Sequence, residues 1–213
     1  MSSIFKVTLI AAAAALWSLP AYCQLSSSQP EWINALRQGG HVIVFRHGAT
    51  HTDQADTDPL HPDNVAQQRQ LNEQGRELAR VIGAAMRSLK LPVAAVHTSA
   101  FQRAKETGEL LGFGAVKPSL DFSEGGLVVT PLENNRRAQA LRKFAATMPP
   151  AGSNVVVVTH KPNMLDAFGK DWFDVREGEA SIFRPDGTGG SRLVARVQAD
   201  EWSKLAQAAD GRP

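Results

Sequence analysis

The run Asn154-Val155-Val156-Val157-Val158-Thr159 constrains the fold more than any other stretch of this sequence. Four consecutive valines offer no polar face, so a strand made from them must be covered on both sides. That is the environment of a strand in a parallel sheet clothed by helices. His41-Val42-Ile43-Val44-Phe45 has the same character and reads as a second buried strand. Further strands are expected near 94–98 and 115–120, with two more at 180–184 and 192–197 joined by the turn signature Pro185-Asp186-Gly187. Helices are expected at 30–37, opened by a proline and stopped by Gly39-Gly40; at 71–86, with Leu71, Leu78, Ile82 and Ala85 at helical spacing; at 101–111; and at 134–146, with Ala138, Leu141, Phe144 and Ala145 on one face. Strands alternating with helices predict a three-layer α/β/α sandwich around a mostly parallel sheet. No repeat or linker divides the chain. The stretch 48–70 holds four Asp, two His and two Pro without periodicity, and reads as a long loop.

The amino terminus stands apart. Lys6 is the only charge before Glu31, and it precedes a 13-residue apolar run from Val7 to Leu19. A membrane-spanning helix needs about 20 such residues, whereas a signal-peptide core does not. Pro20 breaks the run, and Ala21-Tyr22-Cys23 carries small residues where a signal peptidase reads, so cleavage before Gln24 is expected. An uncleaved anchor, or a lipid on Cys23, is the alternative. The expected organisation is a signal peptide at 1–23 and a single catalytic domain at 24–213, secreted and periplasmic, without stable membrane insertion once cleaved. Cys23 is the sole cysteine, so no internal disulfide can form. The 23 basic and 21 acidic residues are interleaved, which excludes the basic stripe of a nucleic-acid binder.

In open parallel sheets, functional groups gather beyond the carboxyl ends of the strands. Arg46-His47-Gly48 follows the first strand, Ser99 and Arg103 the second, Glu124 the third, and His160 the valine strand. Two histidines, two arginines and a carboxylate on one edge suit a dianionic phosphate. A neutral imidazole is a nucleophile that can hold a phosphoryl group covalently. Guanidinium groups match phosphate oxygens in a planar fork. Gly48 would let the backbone approach the ligand.

The stretch Phe45-Arg46-His47-Gly48-Ala49-Thr50 resembles the signature of the histidine phosphatase superfamily. Thr98-Ser99-Ala100-Phe101-Gln102-Arg103-Ala104-Lys105-Glu106-Thr107 is similar to its Ser-x-x-x-Arg-Ala-x-x-Thr helix, and Val157-Val158-Thr159-His160 to its second-histidine strand. The three motifs fall in the family's order. The resemblance implies a phosphoglycerate mutase-like fold, His47 as the phosphorylated nucleophile, and a phosphate pocket of Arg46, Arg103 and His160 with Gly48 and Thr50. It implies a general acid in a Leu-x-Glu stretch. Leu120-Asp121-Phe122-Ser123-Glu124 fits best and selects Glu124, with Glu133 as the alternative. Lys161 and Pro162 stand where a phytase-like branch would carry its acid, and Asp53 stands where the family often has asparagine.

Other readings remain at this stage. Arg103 could be a solvated helix residue and His160 a cap of the next helix. His47, His51, Asp53, Asp56, Asp58 and His61 suggest a metal, but without any recognised ligand spacing; no metal or cofactor is expected. His41 and His97 read as structural, and Asn134-Asn135-Arg136-Arg137 as a solvated helix start or a basic rim. The expected activity is metal-independent hydrolysis of a phosphomonoester, either a small molecule or a phosphate on a glycan such as a lipopolysaccharide-core sugar. Alternatives are a non-catalytic phosphate- or phosphoglycan-binding module and a phosphohistidine phosphatase.

Overall fold

In the computed structural model, which describes residues 30–125 and 129–209, the expected alternation of strands and helices forms three layers. The elements are α1 (Glu31–Gln38), β1 (Val42–Arg46), α2 (Glu73–Ser88), β2 (Val93–Ser99), α3 (Gln102–Leu110), β3 (Val116–Ser119), α4 (Pro131–Ala145), β4 (Asn154–Thr159), α5 (Lys161–Phe168), β5 (Ala180–Pro185), β6 (Ser191–Val197) and α6 (Glu201–Ala209). Among the described residues, no helix is long and apolar enough to cross a membrane. The expected signal peptide lies outside the described residues.

The sheet order is β3-β2-β4-β1-β5-β6. The first four strands run parallel, while β5 runs antiparallel to both β1 and β6. The valine strand β4 lies between β2 and β1 and is buried along its whole length, which is why it carries no polar face. Alternate side chains feed two cores. Ile43, Phe45, Val156 and Val158 pack with Ile33, Ile82, Met86, Leu111 and Trp202 from α1, α2, the end of α3 and α6. Val42, Val44 and Val157 pack on the opposite face with Leu141, Met164, Trp172 and Phe183.

Two helix starts and two further helices differ from the sequence reading. Leu71 is not in α2; it bridges to Thr50, and Asn72 caps the helix by accepting from the Gly75 N–H at 2.8 Å. Helix α4 begins three residues earlier than expected, because Thr130 accepts from the Glu133 N–H and Pro131 opens the first turn. Helix α5 was anticipated only as the helix that His160 could cap, and α6 was not expected. The first is eight residues long with a proline in its opening turn, and the second buries only Trp202 and Ala206.

The 48–70 loop is tied at its ends. His51 N–H donates to Gln70 O at 3.1 Å, and Asn72 Nδ2 to Thr50 O at 3.2 Å. A short 3₁₀ turn covers Val65–Gln67. Backbone meets backbone where this loop leaves β1. A Cβ on Gly75 would lie 2.2 Å from Ala49 O, and one on Gly48 would lie 2.8 Å from Gly75 O. Two glycines thus let α2 press against the turn after His47.

Candidate active site

Strands β1 and β4 are parallel neighbours, with Arg46 in register with Thr159. The chain reaches β2 and β3 before returning to β4, so the carboxyl ends of β1 and β4 flank a reversal of strand order, where sheets of this kind open a crevice. His47 follows one strand and His160 the other. Their ring centroids are 5.1 Å apart, and the His47 N–H extends the ladder by donating to Thr159 O at 3.0 Å. Both rings are buried.

His47 Nδ1 lies 2.8 Å from Gly48 O. A carbonyl only accepts, so the proton sits on Nδ1 and the Nε2 lone pair is free to act as a nucleophile. Burial, then electrostatic repulsion from His160 and Arg103, pushes the His47 pKa well below the ordinary imidazole value and keeps it neutral. His160 Nε2 shares a 2.7 Å hydrogen bond with Ser99 Oγ, which also contacts Ser123 Oγ at 3.0 Å. Its Nδ1 faces Glu124 Oε1 at 3.2 Å, within ion-pair reach but without the alignment of a hydrogen bond. Burial lowers the His160 pKa despite that carboxylate.

Arg103, on the first turn of α3, is fully buried against the Phe101 ring, 4.7 Å from its centroid. Asp56 grips it in a fork, Nη1 to Oδ1 at 2.9 Å and Nη2 to Oδ2 at 3.0 Å. Nη2 also donates to Glu124 Oε1. Arg46 is braced from the 175–179 segment, donating to Val175 O at 2.9 Å and Glu177 Oε1 at 3.1 Å. For Glu124, burial raises the pKa, but His160, Arg103 and His47 outweigh it and hold the carboxyl well below the usual range. Its backbone is fixed by Arg137, whose Nη1 donates to Ser123 O at 3.1 Å and Glu124 O at 3.3 Å.

Four buried nitrogens of this cluster have no hydrogen-bond partner: Arg46 Nε, Arg69 Nε, Arg103 Nε and His160 Nδ1. Each orphaned buried donor is costly unless a ligand satisfies it. Arg69 lines a cleft of about 380 Å³ together with Gln54, Ala55, Asp56, Pro59, Phe101, Glu124 and Gly125, and the cleft meets the cluster through Asp56 and Glu124, both of which contact Arg103. Arg69 is near enough to Arg46 for its charge to depress the Arg46 pKa, behind the larger effect of burial.

The structure therefore brings together His47, His160, Arg46, Arg103 and Glu124. Glu133 is elsewhere: it binds Arg136 and Arg137 on α4, which pull its pKa down to about 2. Gly48 serves packing rather than phosphate, since its N–H donates to Thr107 Oγ1 at 3.1 Å and α2 blocks any side chain there. Thr50 is buried and pairs through its backbone with Leu71, with no hydrogen bond to the cluster among the described residues. Asp53 is exposed; the loop carboxylate that reaches the site is Asp56. Asp58 pairs with His61 instead. His41 is tied to Gly39 O at 2.9 Å, and His97 packs edge-on to Phe122 and Phe144. Arg69 is the residue that sequence reasoning missed, and Asp56 was weighed only as a metal ligand. The available signal was that Arg69 is the only Lys or Arg between 48 and 70.

This topology, with a buried histidine beyond the first strand, places the molecule among the phosphoglycerate mutase-like α/β proteins. The sequence profile described as histidine phosphatase superfamily, branch 1, matches residues 42–124, which run from β1 to Glu124. Solved structures share the fold. The protein histidine phosphatase SixA complexed with tungstate superposes with a TM-score of 0.53 at 20% identity, over 76% of this chain and 98% of that one. The putative phosphohistidine phosphatase SixA from Agrobacterium tumefaciens gives 0.50 at 15%, over 75% and 98%. YhfR from Bacillus stearothermophilus gives 0.50 at 16%, over 73% and 95%. No curated protein matches the chain in sequence.

Proposed function

We propose that this protein is a phosphomonoesterase that works through a phosphohistidine on His47. The observation that carries this reading is a neutral, buried His47 beside Arg103 and His160, with buried nitrogens left unpartnered on both of them and on Arg46 and Arg69. Three guanidinium Nε donors and one imidazole nitrogen match the equatorial oxygens of a phosphoryl group, whose transfer depends on positioning and charge stabilisation.

In the first step His47 Nε2 attacks phosphorus. The bond to the leaving oxygen breaks, and that oxygen takes its electron pair and a proton from Glu124. In the second step water attacks the phosphohistidine and gives a proton to the Glu124 carboxylate. The P–N bond breaks, its electrons return to Nε2, and inorganic phosphate departs. Arg46, Arg69, Arg103 and His160 hold the phosphoryl group throughout. No metal takes part.

The cleft beside the site carries the polar side chains of Gln54, Asp56, Arg69 and Glu124, and its volume suits a sugar phosphate. With the leader at 1–23 removed, the enzyme would act in the periplasm on a small or glycan-borne phosphomonoester. Turnover of p-nitrophenyl phosphate and a panel of sugar phosphates by the purified protein tests the reading. Phosphate binding without hydrolysis anywhere in the panel would replace it with a binding module. A mature amino terminus at Gln24 tests the location.

A further inference from the structure

Glu124 poses a chemical problem: a general acid must carry a proton, yet its surroundings keep it ionised. One atom, Oε1, touches both Arg103 Nη2 and His160 Nδ1. Arg103 has two edges able to grip an oxyanion. Asp56 fills the Nη1–Nη2 edge with a two-point fork. The other edge, Nε and Nη2, holds only Glu124 at Nη2, and its Nε has no partner. An oxyanion seated on that edge takes Nε and Nη2 together, and so meets the place where Glu124 Oε1 now lies. His160 Nδ1 poses the same competition.

We propose that Glu124 is an internal stand-in for one phosphate oxygen, and that the arriving phosphate displaces it from Arg103 and His160, after which it takes up a proton from solvent. The proposal rests on the phosphatase reading only in where it seats the anion. Glu124 borders the cleft with a fifth of its side chain exposed, so it has room to turn outward and a path to water. The charged and titratable groups facing it are Arg103 from α3, His160 beyond β4, and Arg46 and His47 at the end of β1. Asp56 and Arg69 of the loop lie on the same cleft. Once a dianion neutralises the cations, Glu124 stands beside two negative charges with its own partners gone. Both changes favour the protonated carboxyl. Substrate binding would thereby create the acid that the first step consumes, and the free enzyme would keep its buried arginine paired.

The test is isothermal titration calorimetry of sulfate at pH 7 in buffers of differing ionisation enthalpy. Sulfate does not titrate in this range, so any proton taken up belongs to the protein. The wild type is expected to absorb close to one proton per sulfate bound. Glu124→Gln is expected to lose that uptake and to bind sulfate at least 10-fold tighter, because the competing carboxylate is gone. Uptake that persists in the variant assigns the proton to a histidine and overturns the proposal, as does sulfate binding no tighter in the variant. Should the variant fail to fold, the wild type decides alone: sulfate bound without proton uptake overturns the proposal while leaving the phosphate site standing. Absence of sulfate binding removes both the proposal and the site on which it rests.

Discussion

Arg69 provides the sharpest test of the phosphate site, because no motif pointed to it and only the structure brings it there. Its Nε is buried without a partner on the same cleft as Glu124. Its backbone N–H is anchored separately, donating to Asp56 Oδ1 at 3.0 Å, so truncating the side chain leaves the loop's attachment in place. A hydrogen bond to a charged group is worth about 1.5–3 kcal/mol. At about 1.4 kcal/mol per tenfold in rate, Arg69→Ala should lower kcat/KM for p-nitrophenyl phosphate by about 10- to 150-fold. Arg69→Lys, which keeps the charge without the planar fork, should recover only part of the loss. The melting temperature should hold, since removing Arg69 relieves its repulsion with Arg46. Arg80→Ala, on the exposed face of α2 where Arg80 meets only Glu73 and Glu77, serves as the control and should leave kcat/KM unchanged. A kcat/KM for Arg69→Ala within twofold of wild type would refute the assignment of Arg69 to the phosphate.

Three further outcomes are expected. Gly75→Ala places a Cβ 2.2 Å from Ala49 O and must push α2 away from the turn after His47, so it should lose about 1–3 kcal/mol of stability in urea titrations and lose activity with it. His41, His47, His97 and His160 all have pKa values lowered, chiefly by burial. In the unfolded chain these groups protonate near pH 6.5, so below that pH the unfolded state binds more protons and stability falls; the urea midpoint should be lower at pH 5.5 than at pH 7.5, and an equal or higher midpoint would contradict the buried, neutral histidines. Exhaustive dialysis against EDTA should leave kcat unchanged, and restoration of lost activity by an added divalent ion would show that the proposed metal-free chemistry is wrong.

The sheet was legible because its central strands have no choice of environment. Val155 to Val158 cannot face water on either side, and β4 coincides with the run Asn154 to Thr159 read from the sequence. The site was legible where residues sit directly beyond strands, as His47 and His160 do, since a strand end fixes position in space. Asp56 and Arg69 were illegible for the opposite reason. They lie in a loop without periodicity, and only its closure by the His51–Gln70 and Thr50–Leu71 pairings carries them to Arg103 and the cleft. Gly48 was misread because a glycine signals close approach without saying to what. Here it approaches Gly75. Helix α6 escaped notice because only Trp202 and Ala206 of its nine residues are buried, too few to give a helical period.

The most direct measurement is rapid-quench trapping of the enzyme during turnover of a ³²P-labelled phosphomonoester. An acid-labile, base-stable phosphoenzyme is expected, mapping by peptide analysis to His47, and His47→Ala should yield neither the labelled protein nor turnover. Label on any other residue, or hydrolysis retained in His47→Ala, would contradict the assignment of His47 as the nucleophile.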